Sequence, residues 1–298
     1  MFGHVRATAL ALSLFLLAAC GRPAAQVQAT PSPASPIASP IPSIAPTPIA
    51  NPASHVFVIV MENHSYGRAL SGRYTSHLAA EYPTATDYHA VGFPSLPNYL
   101  ALTSGSTWGI TDDGYHRLPA GGLGAQLTGA GIEWRAYMEG MTRGCFNSPY
   151  PYALKHNPFA YYGGTCPDQV VPFSNFAADM KGNVPKFVWI TPGLCHDGHD
   201  CPTEVADQWL SQTVPLILAT PAWQENGLLL ITWDEGDDKA NHVLTLAIHP
   251  HPAERVSSVA YNHYSLLATI QDRLGVPRLG RAAFASPMTD MLASTLTQ

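Results

Sequence analysis

Four short stretches of this chain carry residue types that handle a negatively charged oxygen: Glu62-Asn63, Ser95, the run Cys195-His196-Asp197-Gly198-His199-Asp200-Cys201, and Asp234-Glu235. The carboxylates and the amide of Glu62, Asn63, Asp234, Glu235, Asp197 and Asp200 are hard oxygen ligands suited to Mg, Ca or Mn, and His199 extends the choice to Zn. Ser95 opens the segment Pro94-Ser95-Leu96-Pro97-Asn98-Tyr99-Leu100. Serine is a preferred N-cap, and Pro97 falls in the first turn, where its missing N–H costs nothing. Capping alone accounts for such a serine. The other use is attack on an anion held by the free N–H groups and partial positive charge of the helix start. A serine nucleophile needs activation, and the chain contains no G-x-S-x-G elbow, so a Ser/His/Asp arrangement is disfavoured and a metal that lowers the hydroxyl pKa is the alternative. Lys155-His156 offers two adjacent cationic donors, and His263 begins a helical pattern where a core-edge histidine is the bland reading.

These residues need elements to hold them. Ser54 to Met61 (SHVFVIVM) is a short apolar, β-branched run of the kind that forms a buried parallel strand. Pro185–Thr191 and Gly227–Thr232 repeat the pattern, and His242–Ile248 is a weaker fourth. Helical patterns lie between them over Leu96–Thr103, Leu123–Ala130, Ala206–Leu218 and Tyr264–Leu274. Strands alternating with helices predict an α/β fold with a doubly wound, mostly parallel sheet covered by helices on both faces. Glu62-Asn63, the His/Asp cluster and Asp234-Glu235 each follow one of the strands. That is where open α/β sheets place their sites.

The chain has 298 residues, 46% hydrophobic and 12% charged, with a formal net charge of −6. It holds no basic run, and a nucleic-acid partner is not expected. At the N-terminus His4 and Arg6 precede an apolar run, Ala7–Ala19, too short to span a bilayer comfortably and better read as a signal segment. It ends Leu17-Ala18-Ala19-Cys20-Gly21, which resembles a bacterial lipobox, so residues 1–20 are expected to direct export and Cys20 to carry a lipid anchor. Residues 21–54 are rich in Pro, Ala and Ser and read as a semi-rigid tether, leaving 55–298 as the catalytic domain. The remaining cysteines, Cys145, Cys166, Cys195 and Cys201, are even in number, as disulfides in an exported chain would be. Three pairings are open and the local ones, Cys145–Cys166 and Cys195–Cys201, are favoured. The spacing lacks the C-x-x-C form of structural zinc sites.

Met61-Glu62-Asn63-His64-Ser65-Tyr66, the segment from Pro94 to Leu102, Lys155-His156-Asn157-Pro158-Phe159, His196-Asp197-Gly198-His199-Asp200 and Thr232-Trp233-Asp234-Glu235 together resemble the bacterial phosphoesterase family. That family includes non-specific phospholipases C and secreted acid phosphatases and has an alkaline-phosphatase-like fold. The likeness runs from about His55 to Asp290 and leans to the short acid phosphatases. It implies a divalent metal held by Glu62, Asn63, Asp234 and Glu235, with Ser95 as nucleophile. His199 with Asp197 and Asp200 would hold a second metal or protonate the leaving group. Lys155 and His156 would neutralise phosphate oxygens, and His263 would line the site. The implied substrate is a small-molecule or lipid phosphomonoester. A phospholipase C-type diesterase is the rival, and a non-catalytic anion-binding lipoprotein is the reading from another class. A sulfatase would need C/S-x-P-x-R, and Tyr99 stands where the arginine belongs.

The lipobox reading predicts that Cys20→Ser moves the protein from the membrane to the soluble fraction of a bacterial host. Identical partitioning of wild type and variant on fractionation would contradict it.

Overall fold

Strand β1 (Val56–Met61) is buried at every residue, which requires cover on both faces of its sheet. It sits at the centre of an eight-stranded sheet. The computed structural model describes residues 55–252 and 256–292. The signal segment, Cys20 and the tether lie outside the described residues. After β1 come β2 (Thr84–Ala85), β3 (Tyr88–His89), β4 (Trp134–Met138), β5 (Val170–Pro172), β6 (Phe187–Thr191), β7 (Leu228–Trp233), β8 (Thr245–Ile248), β9 (Val256–Ser257) and β10 (Tyr261–Asn262). The large sheet runs β5-β4-β6-β1-β7-β8-β2-β9, while β10 and β3 pair separately. From β5 to β7 every pairing is parallel, and β8 adds to β7 antiparallel. This is the mostly parallel α/β sheet expected from the alternating pattern.

The helices are α1 (Tyr66–Ala69), α2 (Arg73–Glu81), α3 (Ser95–Ser104), α4 (Gly122–Gly129), α5 (Phe176–Asp179), α6 (Thr203–Leu218), α7 (Pro221–Gln224) and α8 (His263–Leu274). They pack as α2 on α6, and as α3 on α4 and α8. Each of the four apolar runs overlaps a strand, and each of the four helical patterns overlaps a helix. Strand β4 has no counterpart among the expected strands. Arg135 interrupts its apolar run, and the structure accommodates that charge by pairing Arg135 Nη1 with Asp179 Oδ2 of α5 at 2.6 Å. Helix α2 also has no expected counterpart, because its cap comes from far along the chain. Asp207 of α6 accepts the backbone N–H groups of Tyr74 and Thr75 at 2.9 and 2.8 Å, serving as a borrowed N-cap. Gly72 makes the approach possible: a Cβ there would stand 2.4 Å from Asp207 Oδ1.

Both favoured disulfides are present, Cys145–Cys166 and Cys195–Cys201. The second closes the loop after β6. The first secures the loop ahead of Lys155-His156, where Asn157 Nδ2 also donates to Tyr152 Oη at 2.9 Å. Among the described residues no helix is long and apolar enough to cross a membrane.

Candidate active site

Met61 of β1 pairs with Trp233 of β7 in parallel register, so the residues that follow, Glu62 and Asp234, leave the sheet side by side. The Asp234 N–H donates to the Met61 carbonyl at 3.0 Å, and the Glu62 N–H donates to the Asp197 carbonyl at 2.9 Å. Two strand ends and the loop after β6 thus deliver three carboxylates to one place, and Glu62, Asp197 and Asp234 are each 0% exposed.

Ser95 is the first residue of α3, and Pro94 occupies the capping position. The serine does not cap. Its hydroxyl is buried and donates to Glu62 Oε2 at 3.2 Å. Asn98, one turn along, was not singled out in the sequence, yet it fixes how this helix enters. Its Oδ1 accepts the N–H groups of Val91 and Gly92 at 3.0 and 3.1 Å, and its Nδ2 donates to the carbonyls of Gly92 and Pro94 and to Glu235 Oε2 at 3.4 Å.

His156 does not meet the expectation of an accessible cation. It is buried beneath Tyr99, whose ring stacks on it at 5.2 Å. Its Nε2 lies 3.2 Å from Glu62 Oε1 and its Nδ1 3.4 Å from Asp197 Oδ2. Burial, followed by the charges of Lys155 and His199, holds its pKa well below the ordinary histidine value. Lys155 is the cation of the site. Its Nζ is 3.0 Å from Asp113 Oδ2 and donates to His199 Nε2 at 3.3 Å. Burial opposes its charge, but the Asp113 contact and the charges of Glu62 and Asp234 outweigh this and raise its pKa.

His199 Nδ1 donates to Asp200 Oδ1 at 2.7 Å, and its own backbone N–H donates to Asp197 Oδ1 at 2.7 Å. With Nδ1 donating, Nε2 is left as the acceptor that faces the lysine. Asp200, expected among the metal ligands, is exposed and orients His199 instead. Asn63 is half-buried beside Glu62. His263, expected to line the site, is fully buried behind it. Its Nε2 donates to the Asp234 carbonyl at 2.5 Å and its Nδ1 accepts from the Tyr88 hydroxyl at 3.0 Å. Burial takes its pKa down to about 4, so it stays neutral and braces the backbone that carries Asp234.

Two further residues set the loop between the disulfide cysteines. Glu139, just past β4, accepts the Gly193 N–H at 2.8 Å and contacts His196 Nδ1 at 2.9 Å. Gly198 has φ +105°, and a Cβ there would meet His64 Cε1 at 3.1 Å and the Glu62 carbonyl at 3.2 Å. Only glycine lets the loop lie this close without strain. A cleft of about 660 Å³ between the start of α2 and α6 is lined by none of these acids.

The electrostatics of the cluster are severe. Glu62 Oε1, Asp197 Oδ2 and Asp234 Oδ2 are buried without a hydrogen-bond donor. Burial, then the neighbouring acids Asp234 and Asp197, raise Glu62 well above the ordinary carboxylate range. Burial and the charge of Glu235 raise Asp234 likewise. Burial takes Asp197 up to about 7, and burial with the Asp113 charge takes Glu235 up to about 7. Buried carboxylates need a cation or a proton. Glu62, Asp234, Asp197 and Glu235 are oxygen donors of the kind a hard divalent ion takes. No group of three or more His, Cys, Asp or Glu among the described residues is assembled to hold a metal ion. The His156 ring stands between Glu62 and Asp197.

The mostly parallel sheet with its helices is an alkaline-phosphatase-like fold. The chain is similar in fold to a member of that superfamily from Vibrio parahaemolyticus, with a TM-score of 0.58 at 14% identity over 82% of this chain and 72% of that one. It is also similar to the lipoteichoic acid synthase LtaP from Listeria monocytogenes, with a TM-score of 0.56 at 10% identity over 78% and 76%. Residues 71–277 match the Phosphoesterase family, and the chain belongs to it. Relatives in sequence include the phosphate-repressible acid phosphatase of Penicillium chrysogenum, 30% identical over 79% of this chain and 62% of that protein. The phosphatidylinositol-3-phosphatase of Mycobacterium tuberculosis is 30% identical over 80% of this chain and 82% of that protein.

In the chelated protein the raised acids hold protons that the unfolded chain releases at lower pH, so the native state binds more protons between the two titrations. Their contribution to stability is complete below the ordinary carboxylate pKa and is lost as pH rises through about 7, the folded value of Asp197 and Glu235. The Tm of the chelated protein should fall over this range, by about 2–4 °C for each kcal/mol lost, and an added divalent cation should restore it. A chelated Tm that is flat or rising from pH ~4 to ~7 would contradict this.

Proposed function

We propose that the protein is an exported phosphoester hydrolase of acid-phosphatase type that cleaves phosphomonoesters with Ser95 as nucleophile. The observation that carries this reading is the Ser95 hydroxyl. It opens α3 without capping it and gives its hydrogen bond to Glu62 Oε2 at 3.2 Å, at the edge of the buried acids. The two relatives described above support it, since their names place a phosphatase activity on chains of this family.

In the proposed reaction, Ser95 Oγ forms a bond to phosphorus as the bond to the ester oxygen breaks, and the hydroxyl proton passes to Glu62 Oε2. Lys155 and the N–H groups at the start of α3 hold phosphate oxygens, and the developing charge favours such charge-assisted donors. His199, its Nδ1 bound to Asp200 and its Nε2 accepting from Lys155, relays a proton from the Lys155 ammonium to the departing oxygen. Water oxygen then bonds to phosphorus as the bond to Ser95 breaks, Glu62 returns its proton to Ser95, and the proton released by the water restores the Lys155 ammonium. A divalent metal held by Glu62, Asp234, Asp197 and Glu235 would supply Lewis-acid activation of the serine and neutralise the acids. A monoester carries two negative charges and a diester one, so the ammonium of Lys155 favours the monoester. The N-terminal segment supports export with a lipid anchor at Cys20.

The expected outcome is that Ser95→Ala and Asp234→Ala each lower kcat for an aryl phosphate by about 10³-fold or more, with the double variant little worse, because residues that act as a unit are non-additive. Acid quenching with mass spectrometry should find phosphate on Ser95. Substantial turnover by Ser95→Ala would move the nucleophile elsewhere.

A further inference from the structure

Asp113 was not among the residues picked from the sequence, and the reaction above does not use it. Its position is nonetheless specific. One carboxylate oxygen, Oδ1, accepts the N–H of Leu96, the residue after Ser95, at 3.0 Å. The other, Oδ2, lies 3.0 Å from Lys155 Nζ. The first backbone donor beyond the nucleophile and the ammonium of the site therefore converge on the two oxygens of a single anion. A phosphate presents pairs of oxygens to the same kinds of donor, which is why carboxylates and phosphates are held by similar groups.

We propose that Asp113 is an internal stand-in for the substrate: its carboxylate occupies the seat of the phosphate and withdraws when the ester binds. This rests on the reading of Ser95 as the nucleophile of a phosphoester hydrolase, and it adds a determinant of substrate and product affinity. The surrounding chain permits the motion. Residues 111, 112, 114, 115 and 117 are exposed and Asp113 itself is half-buried, so its departure uncovers no core. The segment stays anchored beyond it, where the Leu118 N–H donates to the Tyr161 carbonyl at 2.9 Å and Tyr115 packs against Tyr161 at 5.3 Å between ring centroids. Withdrawal also leaves Lys155 with charge to give to the incoming phosphate. The fixed acids Glu62 and Asp234 have no such freedom, because they leave buried strands. Asp113 is the anion paired with Lys155, and it sits on a surface segment.

The test compares wild type, Asp113→Asn and Asp113→Ser in the cation-loaded protein. Calorimetry with inorganic phosphate should give a Kd lower by about fivefold to tenfold in both variants. KM for an aryl phosphate should fall by a similar factor, with kcat within about twofold of wild type. The two substitutions guard against a local effect of either one, and an unchanged Tm in each confirms that the fold is kept. Phosphate affinity that is unchanged or weaker in both variants overturns the proposal. So does a loss of kcat at constant KM, since that is what a permanent brace for Lys155 would give. Phosphate binding is read without turnover, so a wild type that binds phosphate yet hydrolyses no ester would defeat the hydrolase reading while still testing Asp113.

Discussion

The site is organised by like charges that the sheet forces together. Glu62 and Asp234 follow neighbouring strands in register, and Asp197 is bonded through its carbonyl to the Glu62 N–H. Their side chains are buried, and three of their oxygens lack a donor. A protein with only packing to optimise would not keep them, because unpaired buried carboxylates cost several kcal/mol each, about 1–3 even for an ordinary unsatisfied group. The neighbouring groups act on this constraint. Ser95 gives one hydrogen bond to Glu62, Asn98 one to Glu235, and His263 fixes the backbone beneath Asp234. Neutral His156 fills the space between Glu62 and Asp197 under Tyr99.

Rigid and adaptable parts are divided accordingly. The acids sit on strand ends or in the loop closed by Cys195–Cys201, which Glu139 and Gly198 press against β1. The segment that carries Asp113 is largely exposed and reaches the site with the Asp113 side chain. A site whose acids are fixed and whose anion seat is covered by a surface segment can exchange substrate and product without disturbing its charge centre.

Much of this was legible in the sequence, for physical reasons that differ from residue to residue. The apolar β-branched runs gave away β1, β6, β7 and β8 because strands buried on both faces tolerate little else. The acids and Ser95 were visible because they punctuate those runs and a helix start. Strand β4 was hidden by Arg135, whose partner Asp179 lies far along the chain, and α2 was hidden by a cap borrowed from Asp207. The expected roles that changed depended on burial. His156 looks like an accessible cation until the Tyr99 ring covers it, His263 like a wall of the site until it is found behind Asp234, and Asp200 like a ligand until it is found outside. Asp113, in an Asp-Asp-Gly turn, carries no local signal. Its meaning lies in its contacts with Leu96 and Lys155, 17 and 42 residues away.

The central claim is that the buried acids form a cation site that trades protons for a metal ion. Calorimetric titration of the chelated protein with Mn or Zn ions, at mildly acidic pH in two buffers of different ionisation heat, measures both affinity and proton release. The account predicts that wild type binds and releases at least one proton, and that Glu62→Gln and Asp234→Asn each bind about tenfold or more weaker with fewer protons released. A wild type that binds no divalent ion, or variants that bind as tightly as wild type with the same proton release, would contradict it.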